Sequence, residues 1–114
     1  MTAEHPSTLA SIANLASTFW NQGQWVEAEK AFVQVMETRM RVLGPEHPDT
    51  LMTMWNLSHA LRDLGRNAEA LSLLQACVKL LVQRLGPAHP NTVSATTDLE
   101  EWQKLSKHSL VGML

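Results

Sequence analysis

Apolar positions along the chain recur at helical spacing. Leu9, Ile12, Leu15, Ala16 and Phe19 fall three and four apart, which predicts one buried helical face. The run Asn-Gln-Gly-Gln at 21–24 breaks that pattern, and a second stripe follows in Ala28, Phe32, Val35, Met36, Met40 and Leu43. Gly44 suits a left-handed C-cap, with Pro45 blocking continuation. The same alternation then returns as Leu51, Met54, Leu57 and Leu61, followed by Ala70, Leu73, Leu74, Cys77, Val78, Leu81 and Leu85. A narrower stripe (Val93, Leu99, Trp102 and Leu105) predicts a last helix with one apolar face. No segment alternates with period two, and β-branched residues never cluster as a strand requires. The fold class is therefore all-α, with helices near 6–22, 25–43, 48–64, 67–85 and 90–105, consecutive ones antiparallel.

A repeat organises these helices. His-Pro stands at 5–6, 47–48 and 89–90, a spacing of 42 residues both times. Thr8, Thr50 and Thr92 follow each pair, and Asn14-Leu15 returns as Asn56-Leu57 and as Asp98-Leu99. Gly23 returns as Gly65, Glu27-Ala28 as Glu69-Ala70, and Leu43-Gly44-Pro45 as Leu85-Gly86-Pro87. Residues 5–46 and 47–88 share 12 identities over 42 ungapped positions, far above chance. The expected organisation is an extension at 1–4, repeat units at 5–46 and 47–88, a capping half-repeat at 89–105 and a tail at 106–114.

Composition narrows the function classes. The 114 residues suffice for one small domain. Nine Lys/Arg against eleven Asp/Glu give a formal charge of -2, with neither sign gathered into a block, which argues against nucleic acid or an anionic membrane as partner. No apolar run approaches the roughly 18–20 residues that span a bilayer. One cysteine, Cys77, excludes an internal disulfide and favours a reducing, cytoplasmic compartment. The start, MTAEHPST, has no signal-peptide pattern.

The pattern HP-x-T-L…N-L-A…G-x-W…E-A…LGPEHP resembles the 42-residue tetratricopeptide repeat (TPR) of the kinesin light chain type, over roughly residues 5–105. Leu15, Ala16, Phe19, Gly23, Trp25, Ala28 and Phe32 match its packing positions, as do Leu57, Ser58, Leu61, Gly65, Ala70 and Leu74 in the second unit. The wording STLASIANLASTFWNQGQW is also similar to the C-terminal repeats of fungal receptor-like NTPases. The resemblance implies a right-handed TPR superhelix of two helix pairs plus a C-terminal capping helix. It also implies a non-catalytic module that binds a peptide or protein segment along the concave groove of its first helices. The competing reading is a structural or self-association segment of a larger multidomain receptor-like protein.

Transferring the family's groove positions marks Asn14, Ser17 and Trp20, with Ala10, Ala13 and Asn21, in the first unit; Met52, Trp55, Asn56, His59, Arg62 and Asp63 in the second; and Asp98, with Ser94, Thr97, Glu101 and Lys104, in the third. An asparagine at the Asn14 and Asn56 position commonly bonds a bound peptide's backbone in this family, since a carboxamide both donates and accepts. It can equally tie adjacent helices together. Trp20 and Trp55 read either as packing residues or as aromatic anchors of the groove. Carboxylate-clamp binding is not implied, because the clamp's Lys and Arg positions hold Ala10, Ala13, Met52, Trp55, Ser94, Thr97 and Asp98.

Other chemistry finds no support. His5, His47 and His89 recur in successive units about 10 Å apart, too far to share one ion, and read as structural residues at helix starts. There is no CxxC, HExxH, GxSxG, P-loop or GxGxxG motif, and Cys77 lies on an apolar stripe, so neither a metal, a cofactor nor a catalytic residue is expected. The first helix reads as apolar all round, with Leu9, Ala10, Ile12, Ala13, Leu15, Ala16, Phe19 and Trp20 leaving little room for a solvated side. From this the chain is expected to be the end of a longer array, and the isolated fragment to form a weak homodimer through that helix or the apolar 110–114 tail.

Overall fold

The computed structural model describes residues 6–112, with side chains from 9 to 105. Five helices follow one another: α1 (Pro6–Asn21), α2 (Trp25–Val42), α3 (Pro48–Asp63), α4 (Asn67–Leu85) and α5 (Pro90–Gly112). No strand occurs among the described residues. Each helix packs on its neighbours in sequence, giving a right-handed stack of two helix pairs and a fifth helix. The result is elongated, 54 × 33 × 20 Å.

The repeated His-Pro and Gly-Pro residues set the helix ends. His47 is the N-cap of α3, and its Nδ1 accepts from Asp49 N at 3.1 Å. Pro48 at the next position has no N–H to satisfy, so the imidazole serves the first donor that needs it. His89 does the same for Asn91 N, at 3.1 Å. The repeated threonine pins each turn to what precedes it: Thr50 Oγ1 donates to Gly44 O at 2.9 Å and Thr92 Oγ1 to Leu81 O at 3.4 Å. Gly44, at φ +98°, closes α2 by donating to Met40 O, a backbone region that side chains disfavour. His5 and His108 lie outside the described side chains.

The core runs through α3, which is flanked on both sides and buries eight of its residues. Leu51, Met54, Leu57 and Leu61 meet Ala16, Ala28 and Phe32 on one side and Ala70, Leu74, Cys77 and Leu81 on the other. Cys77 Sγ donates to Leu51 O at 3.3 Å. Burial pushes its thiol up to about 12, so it is a neutral packing group. On the surface Arg66 joins Glu29 of α2 to Glu69 of α4. Its hydrogen bonds hold the Glu69 carboxyl below the ordinary carboxylate range.

Position in the stack, not residue type, decides burial. Leu57 is 3% exposed, whereas Leu15 at the equivalent position is 51% exposed, because no helix precedes α1 among the described residues. Trp25, expected to pack, is also exposed. The expectation that α1 lacks a solvated side is corrected: Ala10, Ser11, Asn14, Leu15, Thr18 and Asn21 form one, mostly polar. Where α3 presents Thr53 and Ala60 to the preceding pair, α1 carries Ser11 and Thr18.

The other end is polar for a similar reason. Met54, Ser58 and Leu61 are buried on α3, and their counterparts on α5 are Thr96, Glu100 and Gln103. A helix so changed needs no partner on that side, as a solenoid cap requires. Val93 and Leu105, expected in the buried stripe, are exposed instead. The buried face of α5 is instead Thr92, Ala95 and Trp102, with Leu99 packed on the core, spaced for a single helical face. The backbone of α5 also continues to Gly112, past the expected end at 105.

Candidate functional site

The face shared by α1, α3 and α5 carries an aromatic and carboxylate cluster centred on His59. Its imidazole lies 5.7 Å from the ring of Trp20, 6.3 Å from that of Trp55 and 5.0 Å from that of Trp102, the last edge-on. Trp20 comes from α1, Trp55 and His59 from α3, and Trp102 from α5, so one imidazole gathers three helices. The spacing of Trp55 and His59 is one helical turn, which puts both on the same face.

Carboxylates fix the indoles. Trp55 Nε1 donates to Asp98 Oδ2 at 2.9 Å, and His59 Nε2 stands 3.0 Å from the same oxygen. An ionised carboxylate only accepts, so the proton on that imidazole sits on Nε2. Trp20 Nε1 donates to Asp63 Oδ2 in the same manner. Both indole–aspartate bonds span 43 residues, one more than the repeat period, so each links a first helix to the first helix of the next unit. Arg62 places its guanidinium carbon 4.9 Å from the centre of the Trp102 ring, a cation–π stack.

The sequence-derived positions fall into two groups. Trp20, Trp55, His59, Arg62, Asp63 and Asp98 come together in this cluster. Asn14, Ser17, Met52 and Asn56 lie on the same helices without joining it. Asn14 is exposed, and Ser17, Met52 and Asn56 are half-buried. Among the described residues the carboxamides of Asn14 and Asn56 form no hydrogen bond, so neither ties adjacent helices together. Asp98, at the equivalent position, does so through Trp55 and His59. Trp20 and Trp55 are half-buried and packed against the core, with their N–H groups satisfied.

One member of the cluster, Trp102, is absent from the sequence-derived set. Trp102 reads along the chain as the apolar stripe of a cap, and it is in fact 7% exposed. A shallow depression of about 580 Å³ beside α4, floored by Leu61, Leu73 and Ala76 with Glu69 among its lining, takes none of the proposed site residues. No group of three metal-ligating side chains occurs among the described residues.

Comparison with known proteins places this arrangement. The family model described as tetratricopeptide repeat matches residues 8–81. Two solved structures of a kinesin light chain-like protein of Podosopora anserina, built of nearly identical TPR-like repeats, superpose on the chain. One, a single-substitution variant, is 30% identical with a TM-score of 0.71, covering 95% of this chain and 56% of its own. The other is 30% identical with a TM-score of 0.69, covering 94% and 56%. The chain thus spans little more than half the length of these structures. No curated protein matches it.

Proposed function

We propose, from the premise that the chain belongs to the tetratricopeptide repeat family, that it binds an extended peptide or protein segment across the face shared by α1, α3 and α5. Repeats of this family generally serve as protein-interaction modules, and the kinesin light chain-like fold is typically non-catalytic. The observation that carries the reading is the pair of carboxamides, Asn14 and Asn56, one period apart, without a hydrogen bond among the described residues, on the two helices that also carry Trp20 and Trp55. A peptide backbone offers a donor and an acceptor at each residue, which a carboxamide matches, and adjacent rings supply apolar area. The segment would run over Ser17 and Met52 between them, with His59, Arg62 and Asp98 at its centre.

Weak self-association is the second reading, favoured by the exposure of Leu15 where Leu57 is buried. Membership of a receptor-like NTPase, and a cytoplasmic location, rest on the sequence wording and the single cysteine. No described helix is long and apolar enough to cross a membrane. Selection of the purified chain against a displayed library of random linear peptides tests the groove. Binders that lose affinity with Asn56→Ala or Trp55→Ala support it. Binders indifferent to both, or protection confined to α2 and α4 in hydrogen exchange, refute it.

A further inference from the structure

The geometry points to a segment bearing a lysine or arginine as the occupant of this face, its cation set against the indole rings of Trp20 and Trp55 between Asp63 and Asp98. This rests on the groove reading above. The reason is which groups are already spent. Both indole N–H groups and the Nε2–H of His59 donate to the chain's own carboxylates, and Arg62 lies on Trp102. A ligand therefore finds the indole and imidazole donors occupied, and Arg62, exposed and stacked on Trp102, is the one cation of the cluster. Against that one cation stand two carboxylates, Asp63 and Asp98, beside half-buried indoles, so the cluster's balance is negative.

A cation suits that combination. Ring quadrupoles attract cations, Arg and Lys among them, and a nearby carboxylate adds to the attraction in a partly desolvated groove. Among the described residues no Lys or Arg forms an ion pair with Asp63 or Asp98. The half-exposed His59–Asp98 pair, at 27% and 26%, leaves that carboxylate reachable from solvent. Charge distribution agrees: α1, α3 and α5 together carry five Asp/Glu against three Lys/Arg, while α2 and α4 carry four against five. The sign reverses between the two sets of helices, although the whole chain is close to neutral.

Displayed random peptides and then matched synthetic decapeptides, differing only in a central Lys, Arg, Glu or Leu, test the assignment by tryptophan fluorescence titration of the intact chain. The Lys and Arg forms are expected to bind about tenfold tighter than the Glu form, a difference that shrinks as salt rises through the range that screens exposed charge. Asp63→Asn and Asp98→Asn keep an acceptor oxygen for each indole and are expected to remove most of the preference. Should either fail to fold, the salt titration of the unaltered chain decides. Binders that are acidic or charge-indifferent yet still lost with Trp55→Ala overturn the cation assignment alone. A library that yields no binder, or binders insensitive to Trp55→Ala, overturns the groove reading and this assignment with it.

Discussion

Trp55 on α3 and Asp98 on α5 meet through a single 2.9 Å hydrogen bond that spans 43 residues, and His59 shares the accepting oxygen. The bond sets how far the fifth helix slides along the third, since both groups lie on rigid helices. Asp98→Ala leaves an indole N–H and an imidazole N–H without their acceptor. The expected loss is about 1–2 kcal/mol in urea unfolding, and less than half of that for Asp98→Asn. Equal, negligible losses for both would show that the bond contributes nothing to stacking.

Equivalent leucines should respond unequally. Leu57→Ala is expected to cost about 2–5 kcal/mol, as large-to-small changes in a packed core do. Leu15→Ala, at the same repeat position but half in water, should cost under about 1 kcal/mol. Denaturant melts of the two variants side by side decide this. Similar losses would mean that α1 is covered in solution, as self-association through that helix would produce.

Cys77 makes stability depend on pH at the alkaline end. Its thiol ionises ordinarily near 9.0 and near about 12 when buried in the fold. The folded state thus holds the proton that the unfolded state releases, so stability falls as pH rises from about 9 towards 12. The slope is at most about 1.4 kcal/mol per pH unit relative to Cys77→Ala. Thiol labelling at neutral pH should track global unfolding. Rapid labelling of the native chain would place the sulfur at the surface.

Asn56 and Trp55 separate binding from folding. Asn56→Ala should weaken a selected peptide by about 1 kcal/mol while leaving the melting temperature within about 2 °C, because the carboxamide has no partner to lose. Trp55→Ala should cost about 2 kcal/mol or more in affinity, and stability as well, because part of the ring lies on the core. A binding loss for Trp55→Ala that is wholly explained by unfolding would remove it from the ligand surface.

The chain's own residues determine the helices and their ends. The 42-residue period, the His-Pro N-caps and the Gly44 and Gly86 turns are local devices, and local physics places them within a residue or two of where they fall. The late end of α5, at Gly112 instead of 105, escaped although no breaker stands between Leu105 and Gly112. Burial could not be read from the period. Leu15, Leu57 and Leu99 share a repeat position yet are exposed, buried and half-buried, since each depends on which helices lie to either side. The cluster around His59 is likewise a product of stacking: whether a tryptophan meets an aspartate 43 residues away depends on how successive helix pairs rotate against one another. The family resemblance put Trp20, Trp55, His59, Arg62 and Asp98 on one face, and only the packed structure joined them to each other.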